Sequence, residues 1–218
     1  MNDVILEFHE IWKTYGATKP KLIALSGINL KLKKNSLNLI LGPSGSGKTT
    51  ILNLASLLDT PTNGKITIDR QNTSNLSKSE RSRIRRNKIG IVYQRANLFP
   101  YLNILENIML PMTSYDKDNA LKALKMVNLI ETSKFPDELS IEEQQRAALA
   151  RAVINNPSLI IADEPTGELD KKGTKIVMNL IMQMKNKYTI LILSNNEDLS
   201  EYCDELFSLK DGNLRKIN

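Results

Sequence analysis

The sequence predicts an α/β fold whose core sheet is rich in parallel strands, and three observations predict it. Four strand-length runs, at 37–41, 89–93, 158–163 and 188–193, are almost wholly apolar, as strands covered on both faces must be. A run of helical spacing, "GKTTILNLASLLD", follows the first of them, with apolar residues recurring at three- and four-residue intervals. From about 94 to 156 the strand signal vanishes and helical periodicity takes over, in "DNALKALKMVNLI" and "EEQQRAALARAV", which reads as an inserted helical subdomain.

The remaining elements follow in order. "VILEFHEI" and "LIALSGINLKL" alternate as strands do, and "LNLILG" is the first buried run. "GKITID", "KIGIVY", "SLIIAD" and "YTILILS" are further strands, and "ELFSLKDGNLRKI" reads as a hairpin folded at Asp211 and Gly212. The basic run "KSERSRIRRNK" at 78–88 has the spacing of a solvated helix face. In "KKNS" at 33–36, Asn35 suits a left-handed turn position.

Composition bounds the function. A chain of 218 residues can bury one full core, and no repeat, low-complexity tract or Gly/Ser linker divides it, so a single domain over 1–218 is expected. Hydrophobic residues at 41% and charged residues at 25% are ordinary for a soluble globular protein, and the apolar runs are too short to span a bilayer. The acidic start "MNDVILEFHE" lacks the basic-then-apolar pattern of a secretory signal, so a cytoplasmic location is expected. One cysteine, Cys203, and one histidine, His9, disfavour disulfides, Cys/His zinc sites and nucleophile-histidine pairs. The net charge of +6 is uneven: residues 1–100 hold 16 Lys/Arg against 6 Asp/Glu, and 101–218 hold 14 against 18. The basic half is where an anion is to be sought. The run at 78–88 has no interleaved aromatics, and nucleic acid is not expected as a partner.

"GPSGSGKTT", Gly42 to Thr50, matches GxxxxGKT between an apolar strand and a helix, the context in which that motif cradles phosphate. Backbone N–H groups of Gly42, Pro43's successors Ser44, Gly45, Ser46 and Gly47, and the helix start at Lys48, Thr49 and Thr50 would surround the anion. Lys48 adds a point charge, and Thr49 a hydroxyl for Mg²⁺. "LIIADEP" at 159–165 supplies carboxylates at the end of a second buried strand: Asp163 for the Mg²⁺ shell, and Glu164 to polarise water against a γ-phosphate. ATP and Mg²⁺ are the expected ligands.

These motifs, with "IRRNKIGIVYQRANLFPYLNILENIMLPM" and "ARAVINNPSLIIADEPTGELD", resemble the ATP-binding cassette (ABC) superfamily, over nearly the whole chain. They are most similar to the branch serving lipoprotein-releasing, macrolide-exporting and cell-division permeases of the mechanotransmission type. The resemblance implies a P-loop NTPase cassette: a parallel-rich core sheet, an antiparallel β subdomain and the helical insertion. It also implies an ATPase that lies on the cytoplasmic face of the membrane and couples ATP binding and hydrolysis to a separate integral membrane permease subunit. It would act as a homodimer, or as a heterodimer with a second cassette, closing head to tail on two ATP molecules. By the same resemblance Tyr15 stacks on adenine, Gln94 touches Mg²⁺ and contributes to catalysis with Glu164 and Lys48, and "GELD" at 167–170 crosses the dimer. On the residues alone, Tyr15 reads equally as a half-buried strand-end aromatic; Gln94 could cap "IGIVY", but its position between "IVY" and "NLFP" favours the functional reading.

Two departures from the family pattern stand out. Where relatives read LSGGQ or LSGGEQQR, this chain reads "LSIEEQQR", 139–146: Ser140, the expected contact to the partner's ATP, is kept, and both glycines are replaced by Ile141 and Glu142. A Glu142 carboxylate about 5 Å from a phosphate charge, at an effective dielectric near 20, would be repelled by roughly 3 kcal/mol; pointed into solvent it would cost less. Ser140 and Glu143 also form a capping-box pair. In "ILILSNNED", Asn195 takes the place of a histidine; it can donate one hydrogen bond to a γ-phosphate but carries no charge. The alternative expectation is therefore a hydrolysis-impaired cassette acting as a structural or regulatory ATP-binding partner.

Overall fold

The computed structural model describes residues 3–16 and 21–217. Two sheets organise the chain. Strands β1 (Val4–Tyr15), β2 (Leu22–Lys33), β4 (Asn63–Ile68) and β5 (Gln71–Asn72) form an antiparallel sheet in the order β2-β1-β4-β5. Strands β3 (Leu37–Leu41), β6 (Ile89–Val92), β7 (Leu159–Asp163), β8 (Thr189–Ser194), β9 (Glu205–Lys210) and β10 (Asn213–Lys216) form a second sheet in the order β10-β9-β3-β8-β7-β6. All its pairings are parallel except the β9–β10 hairpin. Helices α1 (Lys48–Ala55), α2 (Lys78–Lys88), α3 (Ile104–Met109), α4 (Lys117–Met126), α5 (Ile141–Val153) and α6 (Lys171–Met184) complete the fold, with α3, α4 and α5 lying between β6 and β7.

The apolar runs are explained by what covers them. Strand side chains alternate between faces. Leu159, Ile161, Leu191 and Leu193 pack into a core shared with Phe8, Leu25 and Ile66 of the antiparallel sheet and with Ile51 of α1. Ile160, Ala162, Ile190 and Ile192 pack into the opposite core, with Val177 and Ile181 of α6 and the buried alanines of α5. Both faces of the parallel strands are dry, so neither alternates with polar residues.

Several helix starts are set locally. Ser77 and Glu80 form a capping box on α2, of which only Ile84 is buried, as a solvated face requires. Asn103 and Glu106 do the same for α3. Two boundaries and one element differ from the sequence reading. β1 runs on to Tyr15 past a register shift between Phe8 and Ile11, where Glu10 takes φ 50°. The helix expected through Ile130 stops at Met126, with Asn128 at φ 58° ending it. α6 is an element not anticipated, capped by Asp170, whose side chain accepts from the Gly173 N–H. Asn35 has φ 55°, as expected of its turn.

Asp204 ties three of these elements together. Its carboxylate accepts from the Leu37 N–H at 2.9 Å and from Lys185 Nζ at 2.6 Å, joining β3, the end of α6 and the approach to β9. Burial acts to raise its pKa, but the Leu37 N–H and Lys185 outweigh burial and hold it below the ordinary carboxylate value. Because the folded-state pKa is depressed, the contribution is present above the unfolded value of about 4 and is lost as pH falls through the folded value. Asp204→Asn is expected to cost about 1 kcal/mol at neutral pH, the net worth of a hydrogen bond. Unfolding of both proteins across a pH series measures this, and the gap should close in acid.

Candidate functional site

The site is built where parallel strands stop. Leu41 pairs with Ser194, and Asp163 with Leu193, so β3, β8 and β7 end abreast. The loop after β3, Glu164 after β7 and Asn195 after β8 are therefore neighbours. The Gly42 N–H donates to Ser194 O at 3.0 Å, and the Glu164 N–H to Leu193 O at 2.8 Å.

The phosphate loop is tightly folded. Lys48 Nζ donates to Gly42 O at 2.6 Å and to Pro43 O at 3.1 Å, so the lysine's own loop holds its ammonium in place. A Cβ on Gly42 would meet Leu209 O at 2.5 Å and Ser46 Oγ at 2.6 Å, which only glycine avoids. Gly47, at φ 111°, caps α1 without any side-chain hydrogen bond, and no acidic residue stands in the first turn. The first N–H groups of α1 thus have no side-chain cap, and its dipole meets no local carboxylate of its own.

Glu164 sits against this loop. Its Oε1 lies 3.6 Å from Lys48 Nζ, while Oε2 accepts from Ser194 Oγ at 2.7 Å and from the Asn195 N–H at 3.2 Å. Its backbone is left-handed, φ 47°, which turns the side chain back over the strand ends. Burial pushes the Asp163 carboxyl up; the Glu164 charge adds to that, and Lys48 opposes it. Tyr15, Ser44, Gly45, Gly47, Lys48, Thr49, Thr50, Gln94, Asp163, Glu164 and Asn195 all line one cleft of about 690 Å³, with Leu22, Ile23 and Ala24 of β2 and the Asp211–Gly212 turn. Gly42, Pro43 and Ser46 do not line it: the Gly42 N–H is taken by Ser194 O, Gly42 and Pro43 hold Lys48 through their carbonyls, and Ser46 is buried beneath the loop at 4% exposure.

Ser140 stands outside that cleft, at the start of α5. Ser140 Oγ accepts from the Glu143 N–H at 3.2 Å, and Glu143 Oε2 accepts from the Ser140 N–H at 2.9 Å, completing the expected capping box. The Ser140 N–H and hydroxyl hold the Glu143 carboxyl below its ordinary pKa. The Glu142 carboxylate does not reach freely into solvent: its Oε1 pairs with Arg146 Nε at 2.6 Å, one helical turn on. Ile141 is 54% exposed at the very start of the helix.

Some residues of the site carry no motif. Ser194 holds Glu164 and is merely the last residue of an apolar strand. The segment holding Gln94 is fastened to α5, through Gln145 Nε2 to Tyr93 O at 3.0 Å and through the Arg151 guanidinium to Ala96 O at 2.6 Å and Asn97 O at 2.7 Å. Burial pushes the Arg151 pKa down. The spacing of Gln145 and Arg151 along α5, six residues, gave no hint of a shared target.

A phosphate loop leaving a parallel strand, facing carboxylates at the end of β7 and joined to an antiparallel sheet, defines a nucleotide-binding cassette of the P-loop NTPase class. A family model described as ABC transporter matches residues 25–167, and the chain belongs to that family, as an ATP-binding subunit with ATPase chemistry that works with a membrane permease. An uncharacterized ABC transporter ATP-binding protein of Methanocaldococcus jannaschii is 40% identical over 98% of this chain and 99% of its own length. The lipoprotein-releasing system ATP-binding protein LolD of Wigglesworthia glossinidia brevipalpis is 38% identical over 100% of this chain and 99% of its own. A second Methanocaldococcus jannaschii cassette, solved as a dimer in a post-hydrolysis state bound to ADP and Pi, superposes with a TM-score of 0.88 at 36% identity, covering 98% of this chain and 99% of that one. Among the described residues, no helix is long and apolar enough to cross a membrane.

The close approach at Gly42 makes a sharp prediction. Gly42→Ala is expected to destabilise the fold by about 2 kcal/mol, as overpacking does, and to abolish nucleotide binding by displacing the loop. Thermal unfolding and equilibrium ATP binding check both.

Proposed function

We propose that this chain binds Mg-ATP in the cleft between the two sheets and uses the free energy of binding and hydrolysis to drive a separate permease. The observation that carries the reading is Glu164, whose carboxylate is fixed by Ser194 and the Asn195 N–H beside Lys48 at the phosphate loop. The N–H groups of Ser44, Gly45 and Gly47 and of the start of α1 hold the phosphates, and Lys48 leaves its carbonyl partners for their oxygens. Tyr15 offers its ring to the adenine. Thr49, Asp163 and Gln94 line the cleft with a hydroxyl, a carboxylate and an amide, an oxygen donor set that suits Mg²⁺, which takes few protein ligands beside phosphate and water. Bound there, the ion would neutralise charge on the phosphates. Glu164 orients and polarises the attacking water, and Asn195 donates a hydrogen bond toward the γ-phosphate. Ser140 acts on the ATP of a partner cassette in a head-to-tail dimer.

The chain acts as one unit over 1–218, with the segment 94–156 as its helical subdomain, on the cytoplasmic face of the membrane. The LolD relative and the sequence resemblance point to a permease of the mechanotransmission kind.

The altered start of α5 favours a second reading, that turnover is impaired. Ile141 puts an exposed β-branched side chain and Glu142 a carboxylate, paired with Arg146, where the family pattern has glycines, and Asn195 brings no positive charge. The steady-state ATPase of the purified chain separates the two. Vigorous turnover that Glu164→Gln abolishes while ATP binding persists is the expected result for the first reading. Activity that rises tenfold or more only in Ile141→Gly/Glu142→Gly/Asn195→His, about 1.4 kcal/mol of barrier, is the expected result for the second.

A further inference from the structure

The base end of the cleft is as constrained as the phosphate end, by residues that touch no phosphate. Lys13 is 9% exposed, and its Nζ donates to Asp59 Oδ1 and to Thr60 O, both at 2.8 Å. The same Nζ lies over the ring of Tyr15, 4.8 Å from its centroid. The Tyr15 hydroxyl donates to the other carboxylate oxygen, Asp59 Oδ2, at 3.1 Å. Lys13 and Tyr15 are two apart on β1 and meet on one side of it, although the register against β2 shifts between Lys13 and Thr14. Asp59 thus grips the ring from its edge while Lys13 covers a face.

Asp59 is itself fixed. It stands on the turn that ends α1, where the N–H groups of Leu58 and Asp59 both donate to Asn53 O, at 2.8 and 3.0 Å. The far side of this turn is stitched to β1 by the Thr62 N–H to Trp12 O at 2.8 Å and the Thr14 N–H to Thr62 Oγ1 at 3.0 Å. Burial acts to raise the Asp59 pKa, but the hydrogen bonds from Lys13, the Thr60 N–H and Tyr15 outweigh it, so the carboxylate that holds the ring is ionised well into acid.

We propose that Lys13 and Asp59 are positioning residues for the base of the nucleotide, locking the Tyr15 ring into a preset stacking plate anchored to the C-terminal turn of α1. The proposal rests on the reading of Tyr15 as the surface that takes adenine. Its physical content is twofold. A ring whose torsions are fixed in advance spends less conformational entropy when a ligand stacks on it. With the ammonium on one face, the base has the opposite face, and the ring's position relative to the phosphate loop is set by a single helix, α1, with phosphate at its start and the Tyr15 anchor at its end.

The experiment compares ATP with inorganic tripolyphosphate, both with Mg²⁺, which share the phosphate end and differ at the base end. The full-length chain is used with Tyr15→Ala, Tyr15→Phe, Asp59→Asn and Lys13→Met, reading equilibrium affinity for each ligand and the steady-state KM and kcat for ATP. Asp59→Asn and Lys13→Met are expected to weaken ATP about fivefold, the scale of one lost hydrogen bond, raising KM while kcat and tripolyphosphate affinity stay as in the wild type. Tyr15→Phe, which keeps the ring and removes only its tether, is expected to show the same pattern at smaller size and serves where the charge variants fold poorly. Equal loss of ATP and tripolyphosphate in the folded variants would mean that the pair merely supports α1, and would overturn the proposal. Loss of ATP selectivity in Tyr15→Ala alone, with Tyr15→Phe and both charge variants at wild-type affinity, would keep the stacking plate and overturn its positioning. Unchanged ATP affinity in Tyr15→Ala would remove the base-stacking reading itself, and the proposal with it.

Discussion

The parallel register of β3, β8 and β7 is the constraint on which the site depends. A parallel pair cannot be joined by a tight turn, so each strand must be followed by a long excursion before the chain returns. Because Leu41, Ser194 and Asp163 end in nearly the same row, the three excursions begin side by side. Residues from near 42, 164 and 195 meet there without any of them being close in sequence. The two dry faces of the strands secure the register, since a slip by one residue would exchange Ile160 and Ile192 with Ile161 and Leu191 between two different cores.

The two helix starts in the cassette show opposite local designs. α1 begins at a left-handed glycine, with no capping side chain and no acid in its first turn. α5 begins at Ser140 with a full capping box and two carboxylates, both paired with Arg146, Glu142 closely at 2.6 Å and Glu143 at 4.0 Å. A helix start left without side-chain partners is free to bind an external anion; one supplied with its own carboxylates has that need met internally and gains local stability. The capping-box residues Ser140 and Glu143 are those the family pattern already has; what this chain changes is Ile141 and Glu142 in place of its glycines, which adds an exposed β-branched side chain and an ion pair to Arg146 at the same helix start.

Much of this was legible in the sequence because the relevant signals are short-range. The phosphate loop is nine consecutive residues from Gly42 to Thr50, the carboxylates Asp163 and Glu164 are adjacent, and the capping box spans four residues. The buried strands announce themselves by lacking polar residues. What escaped is long-range or masked. Tyr15 meets Asp59 across 44 positions, and Ser194 meets Glu164 across 30, with no local pattern to mark either pair. The bulge near Glu10 breaks the two-residue alternation, so β1 looks shorter than it is. In α6 the helical spacing of Val177, Leu180, Ile181 and Met184 is masked at its start by the Gly167–Asp170 loop, because Asp170 is at once the end of that loop and the cap of the helix.

The anchoring of residues 93–97 to α5 has a mechanical consequence. The main-chain carbonyls of Tyr93, Ala96 and Asn97 are held by side chains of one rigid helix, while the preceding residues are hydrogen-bonded into the β6–β7 ladder. Gln94 therefore sits at a joint between two bodies, covalently continuous with the sheet and fastened to the helix. A tilt of α5 by a few degrees, pivoting near β6, would act as a lever whose short arm ends at Gln94 and would draw its amide toward or away from Asp163 and Thr49. Load applied to α5 would then arrive as a displacement along one side of the cleft, without any rearrangement of the phosphate loop itself.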